Sequence, residues 1–224
     1  MASWVRSSVV SKDLDALVAT GQLPPLTSAA EWMVPGPEDL PCPPTGYVVS
    51  FVEFHERGLG VPPHDFLRAL LFFYGVELHH LHPNGVQHVS AFVALCEVFL
   101  GIQPCMELFR HFFSASLRKK KGSDLADIGS ASIHLKSHHS VEYIPMSFLS
   151  SHSGWHSRWF YLRNNPTQPF PEFTGRVLTE QPEKWRWGAS KDAKTGLEEA
   201  VEVIRHLKEL GLNGSVVVGS YLKG

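Results

Sequence analysis

Three things are scarce in these 224 residues. Cysteine occurs only at Cys42, Cys96 and Cys105. An odd trio in apolar or proline-rich surroundings makes no disulfide framework and fits a reducing compartment. Charge of one sign is scarce as well, since 20 Lys and Arg against 22 Asp and Glu leave a formal net charge of −2. No overall field therefore draws the chain to nucleic acid, and any such contact has to come from a local patch. Long hydrophobic runs are missing too: Gly, Pro and His interrupt every apolar stretch before the roughly 20 residues of a membrane-spanning helix are reached. The opening MASWVRSSVVSKDLD lacks the apolar run of a signal peptide. The expectation is an intracellular protein, nuclear or cytoplasmic, with no membrane partner.

Motifs that announce a reaction are also lacking. No G-x-S-x-G elbow lies between a strand and a helix. The GLG of residues 58–60 is not followed by the Lys and Ser/Thr of a phosphate-binding loop. Two-metal phosphoryl transfer needs carboxylates converging on one point. Here Glu53, Glu56, Asp65, Glu77, Glu97 and Glu107 fall on or beside apolar helical segments. The sequence thus predicts no catalytic residue, no cofactor and no metal site. The strongest contrary candidates are His79, His80 and His82, with His88, Glu77 and Cys96 nearby. Their spacing matches no known structural zinc site, and neighbours within one turn face different ways. Helix capping and bonds to backbone carbonyls are the expected roles. Cys96 sits in an apolar helix, where a thiol is inert. Glu97 is expected to pair with Arg68 or Arg57 and to fix register more than it stabilises.

What the sequence does have is an apolar, aromatic middle. Between residues 47 and 117, hydrophobic positions recur at helical spacing between Gly and Pro stops. Val48, Phe51, Val52 and His55 form a first group, and Phe66 to Tyr74 a second, bounded by Pro63 and Gly75. Val86 to Leu100 follow Pro83 and stop at Gly101, and Met106 to Phe113 follow Pro104. Short helices apolar nearly all round are stable only by packing on one another, so this is a compact helical core. Residues 1–46 read as a short helix capped by Ser11 and a proline-rich irregular arm, which Trp32 pins to the core. Residues 118–130 read as a basic linker. In 131–190 the period changes: Ala131, Ile133 and Leu135 alternate with polar residues, and Glu142 to Ile144 and Arg158 to Leu162 are further strand candidates for a small antiparallel sheet. Residues 191–224 carry an amphipathic helix with Leu197, Val201, Ile204, Leu207 and Leu210 on one face, then a strand or helix start at Val216 to Val218. The fold class is α+β, mainly a helical bundle, followed by the small sheet and that C-terminal helix.

The runs GYVVSFVEFHERGLGVP (46–62), FLRALLFFYGVELHHLHPN (66–84), FVALCEVFLGIQP (92–104) and GWHSRWFYLRN (154–164), with LDALVATGQLP (14–24), resemble the gypsy-type transposon domain of plants, also called the gypsy-type transposase domain. The resemblance implies association with a mobile element and no established reaction. In that family the pattern runs on into a basic, polar tail beyond VVVGSYLKG (216–224); its lack here is expected of a truncated copy, monomeric or prone to aggregate through exposed aromatics. The leading expectation is a non-catalytic, element-derived, Gag-like protein working through protein partners or self-association. The alternatives are a transposase-related enzyme acting on DNA and a host interaction module. A nucleic-acid contact would use the basic run Arg118, Lys119, Lys120 and Lys121, and the interleaved Trp155, Arg158, Arg163, Arg186 and Trp187. Rings that stack on bases beside cations that hold phosphates are the means of single-strand binders.

Overall fold

In a computed structural model, the described residues are 4–26, 31–118, 127–148 and 154–221, with the side chains of 191–195 and of 220 and 221 outside the description. Helix α1 (Ser11–Ala19) begins one residue earlier than a Ser11 cap requires: Val10 is the cap residue, and its N–H donates to Asp13 Oδ2 (2.9 Å). The arm then contributes β1 (Trp32–Met33). Trp32 is buried there and its indole N–H donates to the Pro24 carbonyl (3.0 Å), which anchors the arm.

The first core segment departs from expectation. Tyr47–Phe51 is a strand, β2, and only Val52–His55 is helical (α2). An apolar run buried on both faces reads alike as strand or helix; the paired β-branched Val48 and Val49 tip it toward the strand. Strand β2 runs antiparallel to β5 (Trp159–Arg163), with Val49 opposite Tyr161 and Phe51 opposite Trp159. Strand β1 pairs with the other edge of β5, giving the order β1-β5-β2.

The helical reading holds further on. Helix α3 (Asp65–Tyr74) is capped by His64, whose Nδ1 accepts from the Phe66 N–H (3.0 Å), and ends at Gly75 in the left-handed conformation (φ 69°) that favours glycine. Helix α4 (Pro83–Ala94) starts with Pro83 at its first position and His82 as cap, then continues as a π-helical turn, Leu95–Leu100. Helix α5 (Met106–Phe112) stops before Phe113, expected as its last residue, because Phe113–Leu117 is strand β3. Its partner is β4 (Ala131–Leu135), in antiparallel register with Phe113 opposite Leu135. Glu142 to Ile144, expected as a strand, form a turn after the 3-10 helix Ser137–His139.

Among the described residues, the sheets therefore tie the apolar middle to the arm on its N-terminal side and to residues 131–163 on its C-terminal side. Phe66, Phe92, Phe109 and Phe113 interlock with contacting ring centroids 4.8–6.2 Å apart, and Phe112 meets Tyr143 at 4.8 Å. Helix α6 (Lys191–Glu209) buries Val201 and Ile204, while Leu210, past its end, is 71% exposed. Helix α7 (Gly214–Tyr221) settles the choice at Val216 to Val218 for a helix, and its Val217 is fully buried against the core. No described helix is long and apolar enough to cross a membrane.

Candidate functional site

The residues expected to touch nucleic acid are used in separate places. Trp155, in the 3-10 turn Trp155–Ser157, is buried, with its ring 4.9 Å from Phe51 and 4.1 Å from His156. Arg158 reaches the buried carboxylate of Glu53 (2.8 Å) and that of Glu56 (3.6 Å). Burial pushes Glu53 above the ordinary carboxylate range even so, with Arg158 opposing the shift. Arg163 is exposed at the far end of β5, a strand length of about 16 Å from Arg158. Arg118 is exposed, and its backbone N–H donates to the Ser130 carbonyl (2.7 Å). Lys119, Lys120 and Lys121 lie outside the described residues. Arg186 and Trp187 flank the end of the 3-10 turn Glu183–Arg186, whose buried Trp185 donates to the Tyr74 carbonyl (2.9 Å). Trp187 is half exposed, and the Arg110 guanidinium stands 6.0 Å from its ring. Within the set, Arg186 and Trp187 adjoin, and Arg158 donates its backbone N–H to the Trp155 carbonyl (3.0 Å), but the described members do not gather on one exposed face.

The histidine turn is equally occupied by the fold. His80 Nδ1 accepts the Glu77 N–H (2.9 Å), and its Nε2 lies 2.9 Å from the Arg176 carbonyl. Both Glu77 oxygens receive Thr174, from its N–H (2.8 Å) and its hydroxyl (2.6 Å), and Arg176 Nε lies 3.3 Å away. His82 caps α4 through Nδ1, which accepts from Asn84 (3.2 Å). His88 turns instead toward Phe113 and Phe148. These are the capping and carbonyl roles the sequence suggests for His80 and His82. His79 is different: it is 1% exposed, 3.5 Å from Glu77 and 4.0 Å from Asp127, and neither ring nitrogen makes a hydrogen bond. Burial, then the neighbouring His80, drives its proton affinity well down, and burial raises Asp127 to about 6. Cys96 is buried, which pushes its thiol up to about 12 and leaves it unreactive. Glu97 meets His64 Nε2 at 3.0 Å, in place of the expected Arg68 or Arg57, which bond to Asp65 and to the Glu53 carbonyl. The geometry explains the exchange: the cap of α3 faces the π-helical turn, and His64 caps with one nitrogen while the other is free to reach Glu97.

A third group escaped the sequence reading. His111 in the last turn of α5, His139 at the end of its 3-10 turn and Glu142 just beyond it converge at the side of a cleft of about 590 Å³ that α6 closes with Leu197, Val201 and Arg205. His139 Nδ1 is 2.5 Å and His111 Nε2 3.7 Å from Glu142 Oε2, and the two imidazole rings lie 4.1 Å apart. Arg205 approaches the other carboxylate oxygen (3.5 Å), and Lys136 Nζ donates to the Arg110 carbonyl (2.5 Å). Burial lowers the proton affinity of His111, as does His139 beside it, against the pull of Glu142. Burial would raise Glu142, yet the His139 hydrogen bond and the charges of His139, His111 and Arg205 outweigh it and hold the carboxyl low. The signal for this group was the three-residue spacing of His139 and Glu142, which puts side chains on one side of a helical turn. Assigning 142–144 to a strand hid it, and His111 is distant in sequence.

The Glu77, His79 and Asp127 group is sealed; the His111, His139 and Glu142 group opens on a cleft. No curated protein and no solved structure matches the chain. Residues 48–117, from β2 through β3, match the model of the family described as "Putative gypsy type transposon".

Proposed function

We propose that this is a non-catalytic protein derived from a gypsy-type transposable element, acting by contact with other protein chains, its own copies included, in the nucleus or cytoplasm. The observation that carries the reading is the use made of the family-matching segment. Its Phe51, Phe54, Phe66, Phe92, Phe109, Phe112 and Phe113 are all buried in one core, and its two buried carboxylates, Glu53 and Glu77, are held by Arg158 and by Arg176. Such a segment is a scaffold, with its ionisable groups engaged in holding elements together.

The chemistry expected of nucleic-acid contact is correspondingly weak. Trp155 is inside and Arg158 is paired, which leaves Trp187 with Arg186 and the exposed Arg118 to offer any contact among the described residues. Binding through such scattered cations would be sequence-independent and would fall steeply with salt. The test is a purified, full-length chain incubated with labelled single- and double-stranded DNA and RNA, with and without magnesium or manganese. Intact nucleic acid, together with concentration-dependent self-association in sedimentation, is the expected result. Metal-dependent strand cleavage that survives repurification would overturn the reading in favour of a transposase-related enzyme.

A further inference from the structure

One group of side chains is arranged for something that the scaffold reading does not use. We propose that His111, His139 and Glu142 form a binding site for a single zinc ion at the side of the cleft beneath α6. The donor set is two imidazole nitrogens and one carboxylate oxygen, the combination borderline metals such as zinc take from proteins when one coordination position stays open. One donor atom from each residue lies within 4.8 Å of the others. The separations of 2.5 and 3.7 Å from Glu142 Oε2 bracket the roughly 3.3–3.5 Å between tetrahedral ligands that zinc bonds of about 2.0–2.1 Å imply. Side-chain rotation is enough to admit an ion, because the His139 contact needs to open and the His111 contact to close by small amounts.

A second observation points the same way. His111 Nε2 is buried and has no hydrogen-bond partner. A buried polar atom without a partner is costly, and a metal on that nitrogen would satisfy it. The cleft supplies the open position, to be filled by water or by a donor from a bound partner. Two cations oppose the ion. Arg205 lies 3.5 Å from Glu142 Oε1 and also pairs with Glu202 (2.5 Å); Lys136 is anchored on the Arg110 carbonyl (2.5 Å). The site is therefore one of moderate affinity, selective for zinc over magnesium or calcium, which prefer oxygen ligands. It is a binding site and calls for no reaction, so it stands apart from the scaffold reading.

The test uses the full chain without a histidine tag, stripped with chelator and titrated with zinc against a chromophoric competitor. Saturable binding of a single equivalent is expected, unmoved by excess magnesium. His139→Ala and Glu142→Gln should each weaken it about tenfold or more, whereas His138→Ala, on the same cleft wall, should leave it unchanged. Arg205→Ala should tighten binding by freeing Glu142, a gain no misfolded variant would give. Circular dichroism melts confirm that each variant is folded. Absence of saturable binding, or equal affinity in the folded His139→Ala and Glu142→Gln chains, would overturn the site.

Discussion

Two clusters in this molecule are built from the same residue types and put to opposite ends. In one, His79 lies between Glu77 and Asp127, sealed under Trp4 and Phe173, with Glu77 tied to Thr174 and Arg176. In the other, His111 and His139 meet Glu142 at the edge of an open cleft. What separates them is water. A sealed imidazole is a neutral packing element that costs stability whenever it must take a proton, and an imidazole beside solvent is free to exchange partners.

The largest consequence is acid sensitivity of the sealed side. Burial lowers His55 and His88 to about 4 from an ordinary 6.5. Between those two values the unfolded chain takes up protons that the folded chain refuses, so stability is full above pH 6.5 and is lost as pH falls toward 4. Each shift corresponds to about 3 kcal/mol. Asp127, raised by burial to about 6, works in the other direction: it favours the folded chain at low pH and loses that contribution as pH rises through 6. Glu53, raised likewise by burial, acts with it. The histidines outnumber them, and His79 and His82 are lowered too. A net loss of about 4 kcal/mol between pH 6.5 and 4 is expected in urea unfolding curves. A flat profile over that interval would mean that these imidazoles are wet.

Removing the carboxylate that organises the sealed cluster comes next in size. Glu77→Ala strips the acceptor from the Thr174 N–H and hydroxyl and removes the carboxylate from Arg176, which keeps the Gly75 carbonyl. Hydrogen bonds to a buried charge are each worth roughly 1.5–3 kcal/mol, so the variant should lose about 3 kcal/mol of unfolding free energy. The partners come from the loop at 174–176, and that loop should become the first site of proteolysis.

A third test concerns Trp155, which the sequence offers equally as a base-stacking ring and as core. Gly129 has φ 67°, and a Cβ there would stand 2.7 Å from the indole Cζ2. Gly129→Ala therefore meets both a disfavoured backbone and an immovable ring. A loss of about 2 kcal/mol is expected, read by the thermal midpoint and by a change in tryptophan emission. A ring free to leave for solvent would absorb the substitution with little effect.

The same contrast explains how much the sequence disclosed. Helix boundaries were legible where a residue type has one strong backbone preference, as at Pro83 and Gly75. The amphipathic face of α6 was legible at Val201 and Ile204 because its opposite face is charged. Strand β2 was not, because an apolar run buried on both faces carries no period to distinguish it from a helix. Its partner β5 is more than a hundred residues away, and nothing local in 47–51 names that partner. The aromatics and cations of 155–163 carried a real ambiguity, since a ring suits a core and a base stack alike; Glu53 resolves it for Arg158 by lying opposite. The cleft cluster was illegible for the same reason as β2: His111 reaches Glu142 only through the pairing of β3 with β4, which brings the end of α5 beside the turn at 137–142.

The smallest expected effect is the one that most sharpens the comparison. Without metal, His139→Ala removes a partly exposed imidazole (16%) from a carboxylate that still has Arg205 at 3.5 Å. Exposed and partly exposed pairs of this kind contribute about 0–1 kcal/mol, so the stripped variant should unfold within about 0.5 kcal/mol of the parent at pH 7. The corresponding change in the sealed cluster, His80→Ala, deletes the acceptor for the Glu77 N–H and the contact with the Arg176 carbonyl, and should cost about 2 kcal/mol. The ratio of the two losses measures how far the fold depends on each cluster. If His139→Ala proved as costly as His80→Ala in the absence of metal, the cleft would be part of the scaffold, its His–Glu contact would be spent on holding α5 against the 137–142 turn, and an ion there would have to break a structural bond to enter.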